Sequence, residues 1–209
     1  MKKLYALLFF TFSLVVNAQI VNIPDANFKA KLLLANSNNQ IASTELFTYN
    51  VVGIPIVTSY NSIDVNGDGE IQVSEAEAIK YLNVSNSNIS DLTGIEAFTN
   101  LELLNCENNV LSSVGINLNT FLRYLSVDQN QLSNLDVSQN TQLEKLHSDS
   151  NQLTSLDVSQ NVQLEELYCE YNQLTSLDVS QNVELKVLYF SYNQLSVLDI
   201  SNNVLLNSL

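Results

Sequence analysis

A motif of leucine and asparagine returns every 21 residues through the second half of the chain, and this spacing constrains the fold more than any other feature. Copies of the pattern L-x-x-L-x-[CVSF]-x-x-N-x-L begin at Leu101, Leu122, Leu143, Leu164 and Leu185. The asparagines of these copies are Asn109, Asn130, Asn151, Asn172 and Asn193. Because one copy is too short to bury its own leucines, we predict stacked coils of backbone that share one continuous apolar core.

A second, shorter motif lies inside each repeat. The sequence Leu-Asp-Val-Ser-Gln-Asn occurs at 135–140, 156–161 and 177–182, and a variant of it occupies 198–203. Two motifs per coil predict two short extended segments and two turns, with little room for helix. Asparagine side chains both donate and accept, so stacked asparagines can pair turn backbone groups that would otherwise be buried without a partner.

These motifs resemble the leucine-rich repeat. Segment 89–101 is similar to the repeats of the internalin-like class, whereas the later coils resemble the nested 21-residue repeats of secreted proteins from Bacteroidota-type bacteria. The resemblance covers about residues 80–209. It implies a leucine-rich-repeat solenoid, built mostly from short parallel β-strands with little helix and closed by a small helical N-terminal cap. It says little about the ligand, because a fold does not fix a function.

The two cysteines, Cys106 and Cys169, occupy the same inward column of the repeat, three coils apart. At about 4.8 Å per strand, their backbones lie about 14 Å from each other. A disulfide needs Cα atoms within about 7 Å. We therefore predict two buried free thiols that pack as small apolar residues.

The first 18 residues have the composition of a secretory signal peptide. Lys2 and Lys3 precede an apolar run at 4–16, and Val16-Asn17-Ala18 supplies small residues before a cut at Gln19. This predicts a secreted or cell-surface protein. The run is too short to span a bilayer and no later stretch is long enough, so we expect no membrane insertion of the mature chain.

Acidic residues dominate the charged side chains, with 22 Asp and Glu against 8 Lys and Arg. Without Lys2 and Lys3 the balance is 22 against 6, a net charge of −16. Such a surface repels nucleic acid and anionic lipid, so we expect neither as a partner. We expect a monomer.

Residues 64–75 match the pattern D-x-[DN]-x-[DN]-G-x5-E of an EF-hand calcium loop at every defined position. Oxygen ligands would come from Asp64, Asn66, Asp68, Glu70, Gln72 and Glu75, with a backbone carbonyl at Glu70 and a bidentate carboxylate at Glu75. The match resembles an EF-hand or dockerin-type loop and predicts bound Ca2+. We expect an exiting helix over about 74–81, whereas 46–62 does not have the sequence of an entering helix.

The remaining boundaries follow from these motifs. Residues 19–63 form the N-terminal cap region, with a helix over 23–35 that Pro24 and Asp25 begin. Residues 76–209 form the solenoid. The sequence stops at 206–209 within a repeat, with no matching C-terminal cap, which predicts a fragment of a longer protein.

Outward positions of the first strand in each coil predict a ligand face of acidic and aromatic residues. Its members are Tyr124, Asp128, His147, Asp149, Tyr168, Glu170, Tyr171, Tyr189 and Tyr192. Exposed tyrosines of this kind often form binding hot spots, although tyrosine also simply favours strands. His147 lies near Asp128 and Asp149, but an open surface without a nucleophile favours a lone surface histidine over acid–base chemistry.

The chain lacks tryptophan, has one histidine and contains none of the G-x-S-x-G, H-E-x-x-H or phosphate-loop motifs. We therefore expect a binding module and not an enzyme, with the solenoid face recognising a protein or a glycan and a structural calcium site near the cap. The alternative is a structural or adhesive spacer whose ligand-binding or anchoring part lies outside this chain.

Overall fold

The computed structural model describes residues 18–50 and 53–209, so the predicted signal peptide lies outside the described residues except for Ala18. The N-terminal region holds most of the irregular structure. Its elements are helix α1 (Ala26–Leu33), strands β1 (Ala42–Ser43), β2 (Thr48–Tyr49) and β3 (Pro55–Ile56), and helix α2 (Val73–Glu77). Strands β2 and β3 pair as an antiparallel hairpin.

The solenoid follows as a regular series of three-residue strands. These are β4 (Tyr81–Asn83), β5 (Leu103–Asn105), β6 (Tyr124–Ser126), β7 (Lys145–His147), β8 (Glu166–Tyr168) and β9 (Val187–Tyr189). All six run parallel, and β1 adds to β4 in the antiparallel sense to give a seven-stranded sheet. The predicted parallel solenoid with little helix is confirmed: a single turn of 3-10 helix at Ile95–Ala97 is the only helix within the described solenoid.

The central leucine of each strand fixes the register. Leu104 pairs with Leu125, Leu125 with Leu146 and Leu146 with Leu167, so each leucine lies directly above the previous one. All four side chains are fully buried in one continuous core. The apolar residues before and after each strand join the same core, as expected for coils that cannot bury their leucines alone.

The first asparagine column pairs backbone groups between coils. Asn151 illustrates the pattern: its Nδ2 donates to the carbonyls of Val127, Ser148 and Asp149 at 3.0 to 3.3 Å. Its Oδ1 accepts the N–H of Leu132 at 3.0 Å. The predicted role for these asparagines is therefore confirmed, because the contacts satisfy buried turn groups that have no sheet partner.

The second asparagine column acts only as a donor. The Nδ2 of Asn161 donates to the carbonyls of Val137 and Asn140 at 3.0 and 2.9 Å, and the buried Oδ1 has no hydrogen-bond partner. The segments that lead to this column form no strand. The coil therefore has a single paired strand, and the second predicted extended segment is held by asparagine contacts in place of a ladder.

The N-terminal elements begin and end close to their predicted positions. Asp25 caps α1 by accepting the N–H groups of Asn27 and Phe28, both at 2.9 Å, and Phe28 is fully buried in the core. Helix α2 is shorter than predicted, because the chain must extend at Tyr81 to begin β4. Both cysteines are buried and free, as predicted. No helix of the described residues is long and apolar enough to cross a membrane.

Candidate functional site

The hairpin of β2 and β3 covers the first half of the sheet face. Phe47 packs on a row of outward side chains from β4, β5 and β6, which are Tyr81, Leu103 and Tyr124. These four residues form a buried cluster separate from the main core. The outward face of the sheet is therefore divided into a covered half over β4–β6 and an open half over β8–β9.

Lys145, on β7, marks the boundary between the two halves. Its side chain is buried, its Nζ donates to the Gly53 carbonyl at 3.1 Å and it pairs with the Glu166 carboxylate at 2.7 Å. The same ammonium lies 4.1 Å from the ring centroid of Tyr49. Since a buried lysine without partners is strongly unfavourable, these contacts hold the hairpin against the sheet.

Tyr124 lies beneath the hairpin and not on the exposed ligand face, so the sequence prediction for this residue is wrong. Its side chain is only 8% exposed. Burial raises the pKa of its hydroxyl well above the usual range. One signal could have found the cover: the outward positions of the first three strands are Tyr81, Leu103 and Tyr124, whereas the next two are Lys145 and Glu166.

An aromatic row extends from this boundary into the open half. The ring centroids of His147 and Tyr168 lie 4.4 Å apart, and those of Tyr168 and Tyr189 lie 5.1 Å apart. The hydroxyl of Tyr124 lies 3.4 Å from His147 Nδ1. His147, predicted as a surface residue, is largely buried, and burial lowers its pKa to about 4. The imidazole is therefore neutral near pH 7, which argues against a charged pair with Asp128.

Asp128, Asp149 and Glu170 form an acidic row beside the aromatic one. Asp128 Oδ1 accepts the N–H of Asp149 at 2.7 Å, and Asp149 Oδ1 accepts the N–H of Glu170 at 2.6 Å. Burial, helped by the charge of Asp149, raises the pKa of Asp128 to about 7. Burial also raises the pKa of Asp149 to about 6. Like charges in successive coils are thus brought together by the repeat itself.

Tyr171 and Tyr192 are the most exposed aromatic side chains of the open half, at 52% and 69%. Their rings stack with centroids 4.2 Å apart and planes 9° from parallel. Both residues have positive φ, 52° and 57°, a backbone region that Asn108 occupies in an earlier coil. Tyrosine is unfavourable in that region, whereas asparagine is tolerated well.

The predicted calcium loop folds around Asp64. Its carboxylate accepts the N–H of Gly67 at 2.7 Å and of Gly69 at 3.0 Å. Both glycines have positive φ, 74° and 81°, so the sharp turn depends on them. The carboxylate of Glu75 reaches back across the loop and accepts the N–H of Val65 at 2.8 Å and of Gln72 at 3.0 Å.

Side-chain amides lie among the oxygens of this loop. Asn66 Nδ2 donates to Asp68 Oδ2 at 2.9 Å and to Gln72 Oε1 at 3.1 Å, and Gln72 Nε2 donates to the same Asp68 oxygen at 2.9 Å. No three Asp, Glu, His or Cys side chains of the described residues meet closely enough to form a metal centre by themselves. The donor set is nevertheless all oxygen, in the alternating positions that a hard cation requires.

The loop is joined to the N-terminal cap at three points. Lys29 of α1 pairs with Glu70 at 2.6 Å. Val21 N–H donates to the Ile71 carbonyl at 2.8 Å, and Val73 N–H donates to the Gln19 carbonyl at 2.8 Å. Ile71 is fully buried in the main core. The loop therefore connects residues 19–21, α1 and the main core.

No protein-family model matches the chain, and no curated protein is significantly similar to it. Similar solved structures include the functional domain of InlJ from Listeria monocytogenes, which is 33% identical with a TM-score of 0.47, and the alignment covers 67% of this chain and 41% of that domain. The chain thus spans about two fifths of the InlJ domain.

Two further structures agree better in shape. Internalin C2 of L. monocytogenes is 16% identical with a TM-score of 0.59, over 93% of this chain and 88% of that one. The ectodomain of the plant receptor kinase GASSHO1/SCHENGEN3 from Arabidopsis thaliana is 22% identical with a TM-score of 0.60, over 65% of this chain and 18% of that one. The protein therefore has an internalin-like leucine-rich-repeat fold.

Proposed function

We propose that this protein is a secreted or cell-surface binding module that recognises a protein ligand with the open half of its sheet face. The hairpin covers the first strands, so the recognition surface is the patch formed by Tyr168, Tyr189, Tyr171, Tyr192 and Glu170. Stacked tyrosines beside carboxylates suit a partner segment that carries basic and apolar side chains.

The stacked pair of Tyr171 and Tyr192 carries this proposal. Both occupy strained backbone positions where asparagine would fit more easily, and both expose their rings to solvent. Strain retained at an exposed aromatic pair is typical of a binding surface, because stability alone would favour another residue. The solved ectodomain of GASSHO1/SCHENGEN3 is a complex with Casparian strip integrity factor 2, so a solenoid of this fold can hold a ligand.

The test replaces both tyrosines by asparagine. Tyr171→Asn with Tyr192→Asn removes the rings but keeps a residue that tolerates positive φ, so we expect an unfolding midpoint at or above that of the wild type. Wild type and variant are compared on an array of basic, acidic and neutral peptides and of purified glycans. For the peptide that the wild type binds most tightly, the affinity of the variant should be about 30-fold lower, as expected for the loss of a hot spot of about 2 kcal/mol.

The matched control replaces two exposed valines on another side of the same coils. Val162→Asn with Val183→Asn should leave array binding unchanged. Equal binding by the wild type and the tyrosine variant would contradict the proposal and favour a spacer whose ligand site lies elsewhere. Binding to glycans only, lost in the tyrosine variant, would replace the protein ligand of the patch by a sugar.

We further propose that residues 64–75 bind a structural Ca2+ ion. Asp64, Asn66, Asp68, Gln72 and Glu75 would supply side-chain oxygens and Glu70 a carbonyl, and the ion would neutralise carboxylates that otherwise repel one another. Because the loop contacts residues 19–21, α1 and the main core, the ion would stabilise the N-terminal end of the solenoid. At a calcium concentration 100 times the Kd, the gain is about 2.7 kcal/mol.

Glu75→Gln tests the ion, and the chelator arm measures its effect on the apo loop, because glutamine loses the carboxylate oxygen that accepts the N–H of Val65. Glutamine keeps an oxygen for the N–H of Gln72 but loses the bidentate carboxylate. We expect the wild type to unfold at a higher temperature with calcium than with a chelator. In Glu75→Gln, most of this difference between the two unfolding temperatures should be lost. The control Glu184→Gln changes an exposed glutamate of the solenoid and should keep the full difference. A wild-type midpoint that calcium leaves unchanged would overturn the site.

A further inference from the structure

A pocket of about 360 Å3 lies between the hairpin and the covered half of the sheet. Its floor is Leu103, and its walls include Tyr60, Tyr81 and Tyr124. Two amides from neighbouring strands, Asn83 and Asn105, line it on the sheet side, and Gln40 adds a third amide outside the sheet. This pocket is separate from the open tyrosine patch, and nothing in the proposed function uses it.

The amide nitrogens of the pocket are held in a fixed direction. Asn83 Oδ1 accepts the N–H of Ser85 at 3.0 Å, and Asn105 Oδ1 accepts the N–H of Glu107 at 2.9 Å. Since both oxygens accept from backbone groups two residues later, each amide presents its NH2 group as the donor, that of Asn83 beside the Tyr81 hydroxyl and that of Asn105 at the pocket lining. Asn83 and Asn105 are direct partners in the parallel register, so the two donors lie one strand apart.

Charge is missing from this pocket. None of the described residues that line it is acidic or basic, in a chain with 22 acidic side chains. A charged ligand would lose its hydration there without gaining a partner of opposite charge. A purely apolar ligand would bury the Asn105 donor without an acceptor, which is also unfavourable. The lining therefore selects a neutral molecule with an apolar face and several oxygen acceptors.

We propose that this pocket binds a single neutral sugar ring. A pyranose offers C–H groups to the tyrosine rings and hydroxyl oxygens to the two amides. The T-shaped contact of Tyr60 with Tyr81, with centroids 5.9 Å apart, fixes two of the ring walls. The volume lies near the lower end of the roughly 300–1,000 Å3 typical of small-ligand pockets, which fits one ring better than a chain of several.

The test titrates the full chain with glucose, galactose, N-acetylglucosamine and N-acetylgalactosamine, and follows tyrosine and asparagine side-chain signals by NMR. We expect at least one sugar to shift signals of Tyr81, Tyr124 and Asn105 while leaving those of Tyr171 and Tyr192 in place. No saturable shift by any of the four sugars would overturn the proposal, as would a shift at Tyr171 and Tyr192 alone.

Asn105→Asp separates binding from folding. Aspartate keeps the acceptor for the Glu107 N–H but replaces the donor by a charge, so sugar affinity should fall at least about tenfold. Asn86→Asp makes the same change outside the pocket, where the side-chain oxygen only accepts from Asn108, and should leave the affinity unchanged. Equal affinities for the wild type and Asn105→Asp would exclude the pocket as the sugar site. The tyrosine-to-asparagine variant of the open patch should bind the sugar normally, so either proposal can fail without the other.

Discussion

The coils, residues 101–209, and the N-terminal region, residues 19–80, are stabilised by different kinds of contact. In the coils the contacts of the leucine and asparagine columns recur every 21 residues with the same geometry, as the Oδ1 contacts of Asn130 and Asn151 with Leu111 and Leu132 show. In the N-terminal region each contact occurs once, as in the pair of Lys29 with Glu70.

The two regions also treat charge differently. Stacking places identical positions of successive coils above each other, so Asp128 and Asp149 meet as like charges. Each of these carboxylates accepts one backbone N–H, whereas Asp25 of the N-terminal region has no like charge stacked on it and accepts from the backbone of α1 and from Ser90 and Asp91. Repetition therefore stabilises the core at an electrostatic cost on the surface, whereas the irregular region carries no such cost at Asp25.

The largest expected effect tests whether the coils are equivalent. Asn151→Ala removes donors from three carbonyls and an acceptor from the buried N–H of Leu132, so the free energy of unfolding should fall by about 3 kcal/mol. Asn161→Ala removes two donated bonds only and should cost about 2 kcal/mol. Urea denaturation followed by circular dichroism measures both.

The same denaturation experiment on neighbouring coils tests whether contacts in the coils are equivalent, as the comparison of the two regions assumes. Asn130→Ala and Asn172→Ala should match Asn151→Ala within about 0.5 kcal/mol, because each side chain makes the same set of contacts in its own coil. Costs that differ by more than about 1 kcal/mol would show that position along the solenoid matters more than the repeated contact.

The sequence predicts the coils better than it predicts the N-terminal region. The leucine register, the asparagine columns and the distant cysteines could be derived from spacing alone, because every copy repeats the information. The position of the hairpin of β2 and β3 could not, since the hairpin occurs once, although the apolar outward residues of the first three strands indicate that something covers them. Tyr124 was misplaced for that reason, and the extent of α2 was overestimated because β4 follows it so soon.

The open half of the candidate site was easier to predict than the covered half. Tyr171 and Tyr192 are exposed, as outward positions in the repeat indicate. Their strained backbone has no signal in the residue types, because the column holds Gln129 and Ser150 in earlier coils and no glycine that would mark a positive φ. Metal binding by residues 64–75 remains a prediction from the motif, with a loop geometry that is compatible with it.

The next prediction concerns the electrostatic cost in the coils. The pKa of Asp128 is about 7 in the folded protein and about 3.9 in an unfolded chain, so stability falls as pH rises from about 4 to about 7. Asp128→Asn keeps an acceptor for the Asp149 N–H but removes the charge. We expect a gain of about 2 kcal/mol at pH 8, after discounting for partial exposure, and almost none at pH 4.

Thermal unfolding between pH 4 and pH 8 measures that gain. The control Asp178→Asn changes a fully exposed aspartate whose pKa is lowered by the backbone N–H and hydroxyl of Ser180, so it should give no gain at pH 8. An equal gain for Asp128→Asn at both ends of the range would mean that packing, and not charge, is responsible.

The smallest expected effect has the opposite pH dependence and lies in the N-terminal region. Although partial burial acts to raise it, the pKa of Asp25 is lowered overall, because hydrogen bonds from Phe28, Ser90 and Asp91 favour the carboxylate. A lowered folded-state pKa gives stability that is present above about pH 4 and is lost as pH falls through the folded-state value.

Asp25→Asn isolates the contact with the first coil from the helix cap. Asparagine caps α1 as well as aspartate does, but its NH2 group cannot accept from Ser90 and Asp91. We expect a loss of about 1 kcal/mol at pH 7 that shrinks toward pH 3, whereas Asp136→Asn, at an exposed turn of the coils, should change little. If the Asp25→Asn loss were the same at pH 3 and pH 7, the carboxylate charge would not join the cap to the solenoid. The two regions would then differ in the regularity of their contacts but not in how they use charge.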